Sequence, residues 1–279
     1  MDYLRPESLD QALAALDALG APDAGARVLA GGTDLYPVAG ARLAGRVVDL
    51  TALPGMAGLR LDGSGLRIGA CTTWSAVAEA ALPPSCAALQ QAARVVGGRQ
   101  IQNAGTVGGN LCNASPAADG VPPLLALDAG VELASTAGLR RMALADFIIG
   151  PRRTALRAGE VLVAVHIPAS ALVGRSAFEK LGARAYLVIS IAMVAVRLEV
   201  EGGRVMAAAV AVGSCSPVAR RLPGVEAALC GPVAGAARRV DAAQVAAALD
   251  PIDDIRASAG YRLKVAAVLI RRAVERVLA

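Results

Sequence analysis

"IQNAGTVGGNLCNASPAADG", residues 101–120, lies near the middle of a 279-residue chain, and its reading decides how the rest is read. It holds four glycines, three asparagines and one charged residue, Asp119, in a chain that is 55% hydrophobic. A shorter stretch, "LAGGTDL" at residues 29–35, has the same character. Each sets Gly-Gly beside short polar side chains, and neither contains lysine or arginine. Glycines let successive backbone N–H groups turn toward one point, forming a nest that binds phosphate oxygens without a cation. Thr33, Thr106 and Asn110 add side-chain donors. A lone Gly-Gly at a strand end reads as a tight turn. Two stretches of matched composition favour a phosphate-ester cradle instead. Neither is GxGxxG or a P-loop, so the dinucleotide and nucleoside triphosphate sites marked by those motifs are not indicated.

The surrounding pattern is mixed helix and strand. "PESLDQALAALDAL" predicts a helix, with Pro6 at its start, Ser8 as cap, and Leu9, Leu13, Leu16 and Leu19 at helical spacing before Gly20. "ARVLAGGTDL" reads as a strand running into a Gly-Gly turn, "GRVVDL" as a second strand, and "LRLDGSGLRIGA" as a hairpin. From Thr73 the period lengthens, and "TTWSAVAEAAL" and "SCAALQQAARVV" read as helices. "PLLALDAGVELAS" returns to strand character, and "GEVLVAVHI" alternates up to Pro168. A boundary is expected near 169–175. Beyond it, "MVAVRLEVEGGRVMAAAVAVG" is a hairpin turning at Gly202-Gly203. "AAQVAAAL" and "ASAGYRLKVAAVLIRRAVERVL" are helical, the latter with an apolar stripe suited to that sheet.

Composition excludes several functions. A length of 279 residues favours two or three subdomains over one core. Aromatics at 3% give few stacking platforms for single-stranded nucleic acid. The net charge of +5 is scattered through pairs such as Arg140-Arg141 and Arg271-Arg272, as on a solvated surface. No apolar run approaches the roughly 20 residues of a membrane span, and "MDYLRPESLD" lacks the features of a secretory signal. Cys71, Cys86, Cys112, Cys215 and Cys230 form no CxxC and read as small buried hydrophobes of a reducing, cytoplasmic compartment. The single histidine, His166, sits on an alternating strand opposite Val161, Val163, Val165 and Ile167. It reads as a surface or interface residue, so zinc sites and a Ser-His-Asp triad are poorly supported. The inventory is that of a chain that holds a cofactor and supplies no catalytic residue or metal ligand.

"RVLAGGTDL", "QNAGTVGGNLCNASPAADGVPPLLALDA" and "FEKLGARAYLVIS" resemble, in order and spacing, the FAD-binding medium subunit of the molybdenum hydroxylases, the carbon monoxide dehydrogenase and xanthine dehydrogenase group. The resemblance runs from the opening helix to the "RASAGYRLKVAAVLIRRA" tail. It implies an α+β, PCMH-type FAD-binding fold: subdomains 1–56 and 57–170 clamping the flavin, and a C-terminal α+β domain, 171–279, covering it. By the same resemblance, Leu29, Ala30, Gly31, Gly32, Thr33, Asp34 and Leu35, with Thr106, Val107, Gly108, Gly109 and Asn110, would hold the FAD pyrophosphate. Asp119 matches a ribose or adenosine-side contact, Leu162 an apolar neighbour of the cofactor, and Lys180 a lysine near the isoalloxazine ring. Val96 stands where relatives carry a larger flavin-stacking side chain, and Gln102 where an arginine is common. The cysteine-bearing insertion of hydroxybenzoyl-CoA reductase relatives is missing.

The implied activity is electron relay. Substrate is oxidised at a molybdenum cofactor on a large subunit, electrons pass through 2Fe–2S clusters on a small subunit, and this flavin delivers them to an external acceptor. The implied assembly is a dimer of heterotrimers, with neither nucleic acid nor a membrane as partner. Two other readings stand beside it: a self-contained flavin oxidase or dehydrogenase of the same fold, and a non-redox nucleotide-binding assembly protein.

Overall fold

The computed structural model describes residues 2–17, 26–38 and 45–279. Strand β1 (Asp2–Leu4), helix α1 (Leu9–Asp17), β2 (Ala26–Leu29), the single turn α2 (Leu35–Val38) and β3 (Arg46–Asp49) form the first unit. Its three strands are parallel, in the order β1-β3-β2, and α1 buries Ala12, Leu13 and Leu16. The expected continuation of α1 through Leu19 and its stop at Gly20 lie outside the described residues.

The second unit begins with the hairpin of β4 (Leu59–Asp62) and β5 (Gly65–Gly69). Asp62 closes the turn by accepting from the Ser64 N–H at 2.9 Å and hydroxyl at 2.6 Å. A run of short helices follows: α3 (Trp74–Glu79), α4 (Ala87–Ala93), α5 (Arg99–Ala104), α6 (Val107–Asn113) and α7 (Val121–Ala126). Then come β6 (Gly130–Ser135), β7 (Gly138–Ala143), the turn α8 (Leu144–Phe147), the small pair β8 (Ile148–Gly150) and β9 (Arg153–Thr154), and β10 (Val161–Pro168). The sheet is antiparallel, in the order β4-β5-β10-β6-β7.

Three expectations are corrected here. "PLLAL" is helical, because Gly120-Val121-Pro122-Pro123 opens a helix with prolines in its first turn, where no N–H is needed. "TVGGN" also opens a helix: the Thr106 hydroxyl caps α6 by accepting from Gly109 N–H at 3.0 Å. A third concerns β10, whose alternation is broken by a bulge between Leu162 and Ala164. The extra residue shifts the phase, so Val161 through Val165 are all buried and neighbouring residues re-aim.

The third unit comprises β11 (Arg175–Leu181), β12 (Ala192–Glu201), β13 (Arg204–Gly213), β14 (Arg220–Arg221), α9 (Pro223–Leu229), β15 (Gly231–Pro232), α10 (Ala242–Ala247) and α11 (Ala259–Leu278). Gly202 and Gly203 both take positive φ, +54° and +72°, at the β12–β13 turn, which is the backbone that matches strand twist there. One face of this sheet packs on α11 and the other on α4 and α7. Burial on both faces explains the alanine-rich run 207–211 and the burial of Arg197, which strict alternation would have placed in water. Arg197 instead donates Nε to the Ala126 carbonyl at 3.0 Å, capping α7.

Helix α11 is tied to the sheet by Arg262, which is buried and donates to the carbonyls of Ile191 (2.6 Å) and Ser214 (2.9 Å) and to Asp254 (2.7 Å). Desolvation works against ionisation of Asp254, but bonds from Arg256 N–H, Ala257 N–H and the Arg256 and Arg262 side chains outweigh it and hold its pKa at about 2. A carboxyl depressed in the folded state stabilises above its ordinary pKa and loses that contribution as pH falls through the folded value. Urea midpoints should therefore fall as pH drops from about 4 to about 2, and less steeply in Asp254→Asn. Equal slopes in the two proteins would remove Asp254 from this role.

Candidate functional site

The first and second units meet at their glycines. A side chain at Gly31 would put its Cβ 1.9 Å from the Ala104 carbonyl oxygen, so only hydrogen lets these backbones touch. Asn113 Nδ2 donates to Asp34 Oδ1 at 2.7 Å and adds a side-chain bridge. Between the two stretches opens a cleft of about 440 Å³. All of residues 29–35 line it, with Val96, Thr106, Gly108, Gly109, Asn110 and Leu162.

Its floor is apolar: Leu50, Met56, Ala70 and Trp74. Trp74 is the chain's single tryptophan and is fully buried. No motif marks it or the other floor residues; they reach the cleft only through packing, from the chain after β3, the end of β5 and α3. Cys71 and Cys112 also line it. Burial pushes the Cys71 thiol to about 11, so it offers no thiolate near neutrality. The expectation that every cysteine is buried fails at Cys112 and Cys230, which are exposed.

The two stretches differ in their free donors. Among the described residues, the N–H groups of Gly31, Gly32, Thr33 and Asp34 meet no acceptor. Those of Val107, Gly108, Gly109 and Asn110 are already bonded, to Thr72 O, Ala70 O, Thr106 Oγ1 and Thr106 O. The first stretch is thus an open nest, and the second is a capped helix start that presents side chains. Asn110 Oδ1 is buried without a partner.

Three expected residues lie elsewhere. Val107 is fully buried in the core and does not line the cleft. Asp119 and Lys180 pair with each other, Oδ2 to Nζ at 2.5 Å, with side chains only 8% and 9% exposed. Ser190 donates to Asp119 Oδ1 at 2.6 Å, and Lys180 also reaches the Val95 carbonyl at 3.4 Å. Burial is the largest influence on Asp119 and raises its pKa, against the pull of Lys180 and Ser190. A ribose-side aspartate and a ring-side lysine would stand at opposite ends of FAD; at 2.5 Å these two act at one place.

Val96 reaches the cleft on the turn 94–98, and Gln102 fixes that turn. Its buried amide Nε2 donates to Arg94 O at 2.9 Å and Val96 O at 3.2 Å. Gln102 therefore acts on the backbone beneath Val96 and does not line the cleft. His166 lies on the outer sheet face, 3.2 Å from Glu132 Oε2, and partial burial lowers its pKa. The cleft's carboxylates are engaged: Asp34 with Asn113, and Glu160 with Arg140 through bonds of 2.6 and 2.7 Å that hold its pKa below the usual carboxylate range.

Residues 1–170 match the family described as the FAD binding domain in molybdopterin dehydrogenase, and residues 176–277 match the CO dehydrogenase flavoprotein C-terminal domain. The chain belongs to the FAD-binding subunits of the molybdenum hydroxylases. The carbon monoxide dehydrogenase medium chain of Afipia carboxidovorans is 33% identical to this subunit over 279 residues, covering 99% of it and 96% of the relative. The nicotine 6-hydroxylase medium subunit of Paenarthrobacter nicotinovorans is 32% identical, covering 98% and 95%. The reconstituted CO dehydrogenase structure from Oligotropha carboxidovorans superposes with a TM-score of 0.89 at 33% identity, over 100% of this subunit and 97% of that chain. The α+β fold that the resemblance implied is the fold of this FAD-binding subunit, an oxidoreductase component. Among its described residues, no helix is long and apolar enough to cross a membrane.

Proposed function

We propose that this subunit holds FAD noncovalently in the cleft and relays electrons from 2Fe–2S clusters on a small partner subunit to an external acceptor. Substrate oxidation would occur at a molybdenum cofactor on a large partner, within a dimer of heterotrimers in the cytoplasm. The observation that carries this reading is the open nest of Gly31, Gly32, Thr33 and Asp34 facing a capped, side-chain-bearing α6 across an apolar floor. The four free N–H groups suit pyrophosphate oxygens. The partnerless Asn110 Oδ1 suits a hydroxyl donor such as those of the ribityl chain. Leu162, Trp74 and Val96 offer apolar surface to the rest of the cofactor and exclude water from it. Asp119 and Lys180 do not line the cleft; Lys180's bond to the Val95 carbonyl sets the pair one residue from Val96, so the two would act on the cofactor from one place, as a charge pair.

FAD, when bound, supplies the electron exchange itself. The chain's contribution is binding and orientation. Every titratable carboxylate at the cleft is already held by a neighbour, and the described residues place no histidine there.

The isolated subunit should therefore carry FAD and show weak diaphorase activity, but no oxidation of aldehydes, purines or N-heterocycles. Co-expression with the two partner subunits should restore substrate oxidation, with the three chains co-eluting in equal amounts. Turnover of an organic substrate by the purified single chain at an ordinary enzymatic rate would replace this reading with a self-contained flavoenzyme. A colourless chain that still binds nucleotides would replace it with an assembly protein.

A further inference from the structure

The turn 94–98 has two sides. Val96 faces the cleft, and behind the turn lies a separate hollow of about 610 Å³ that shares no lining residue with it. Four cationic side chains line the hollow: Arg94 at the end of α4, Lys180 on β11, Arg184 just beyond it, and Arg276 on α11. Glu179 is the only carboxylate among its described lining residues. Lys180 is balanced by Asp119, and Arg276 by Glu179 at 3.2 Å.

Arg94 and Arg184 have no carboxylate partner among the described residues. Backbone carbonyls aim them instead: Arg94 Nη2 donates to Ala78 O at 2.8 Å, and Arg184 donates both Nε, at 3.1 Å, and Nη2 to Leu187 O, which leaves its Nη1 side free. A carbonyl orients a guanidinium without cancelling its charge, and the remaining N–H groups of each fork stay available. Gln91 adds an amide donor, because its oxygen is taken by the Phe178 N–H at 2.8 Å.

A concave surface with two uncompensated guanidiniums and an extra amide donor is complementary to an anion bearing several oxygens. Guanidinium forks match phosphate geometry through paired hydrogen bonds. We propose that this hollow is a binding site for a small organic phosphate of the diphosphate class, held by Arg94 and Arg184 with help from Gln91. The site does not depend on the assignment of FAD to the cleft.

The test is calorimetric titration of the full-length, FAD-loaded subunit with inorganic pyrophosphate. Saturable binding of one equivalent is expected, weakened at least tenfold in Arg94→Gln/Arg184→Gln, with flavin content and urea midpoint unchanged in that variant. Absence of saturable binding to the wild-type subunit, or equal binding by the double variant, would overturn the proposal. So would binding seen only in flavin-free protein, since the anion would then have entered the cleft.

Discussion

Gly109→Val should give a folded protein with no flavin. A Cβ at Gly109 would meet only Thr106 Oγ1, at 2.8 Å, and otherwise projects toward the cleft that Gly109 lines. The fold then loses at most its N-cap on α6, about 1 kcal/mol, while the larger side chain fills space the cofactor needs. FAD affinity should fall by roughly 100-fold or more, about 2.7 kcal/mol. Gly32→Val should have a similar effect on occupancy, with an added conformational cost, because Gly32 has φ +71° and its Cβ would press on the Tyr36 ring. Gly31→Val is the poorer test. It would drive the two loops apart at Ala104 and confound folding with binding. Flavin-to-protein ratios after gel filtration decide the matter. Full occupancy in both Gly109→Val and Gly32→Val would rule out the cradle.

Lys180→Met should cost about 3–5 kcal/mol of stability, the usual penalty for leaving one member of a buried ion pair uncompensated. Asp119 would keep only Ser190 as partner in a site where its side chain is 8% exposed. The pair also joins the second unit to the third, since Lys180 lies on β11 and Asp119 precedes α7. Lys180→Met/Asp119→Leu, which removes both charges, should recover most of the loss. Urea unfolding measures both. If Lys180→Met unfolds at the wild-type midpoint, the pair is solvated and its proposed bridging role fails. The flavin potential gives a second readout. Removing the cation leaves a negative environment that disfavours the anionic reduced ring, so the potential should fall. An unchanged potential would place Lys180 away from the flavin.

Much of this organisation was readable from residues alone, for physical reasons. Gly-Gly stretches report backbone approach, and Gly31 touching Ala104 is such an approach. The hairpins at Asp62–Gly65 and Gly202-Gly203 follow from turn chemistry that needs only local sequence. What escaped is what depends on packing from a distance. A prolyl first turn overrode the strand character of "PLLAL". The bulge in β10 shifted a phase that composition cannot show. Burial of Arg197 depends on α7 lying across the sheet, and the cleft floor depends on β5 and α3 folding beneath the nest. The Asp119–Lys180 pair joins residues 61 positions apart, so the two looked like separate contacts until the chain brought them together.

The contact between Gly31 and Ala104 has a consequence for how the subunit matures. Among the described residues, the first unit is a three-stranded parallel sheet with α1 packed on it, close to the smallest sheet that stands alone. It is held against the second unit at the nest, where a cofactor would touch both. Any ligand that binds only the docked arrangement stabilises docking by mass action. Capture of FAD and completion of the amino-terminal unit are then linked equilibria, and flavin supply becomes a determinant of how much subunit survives to assemble.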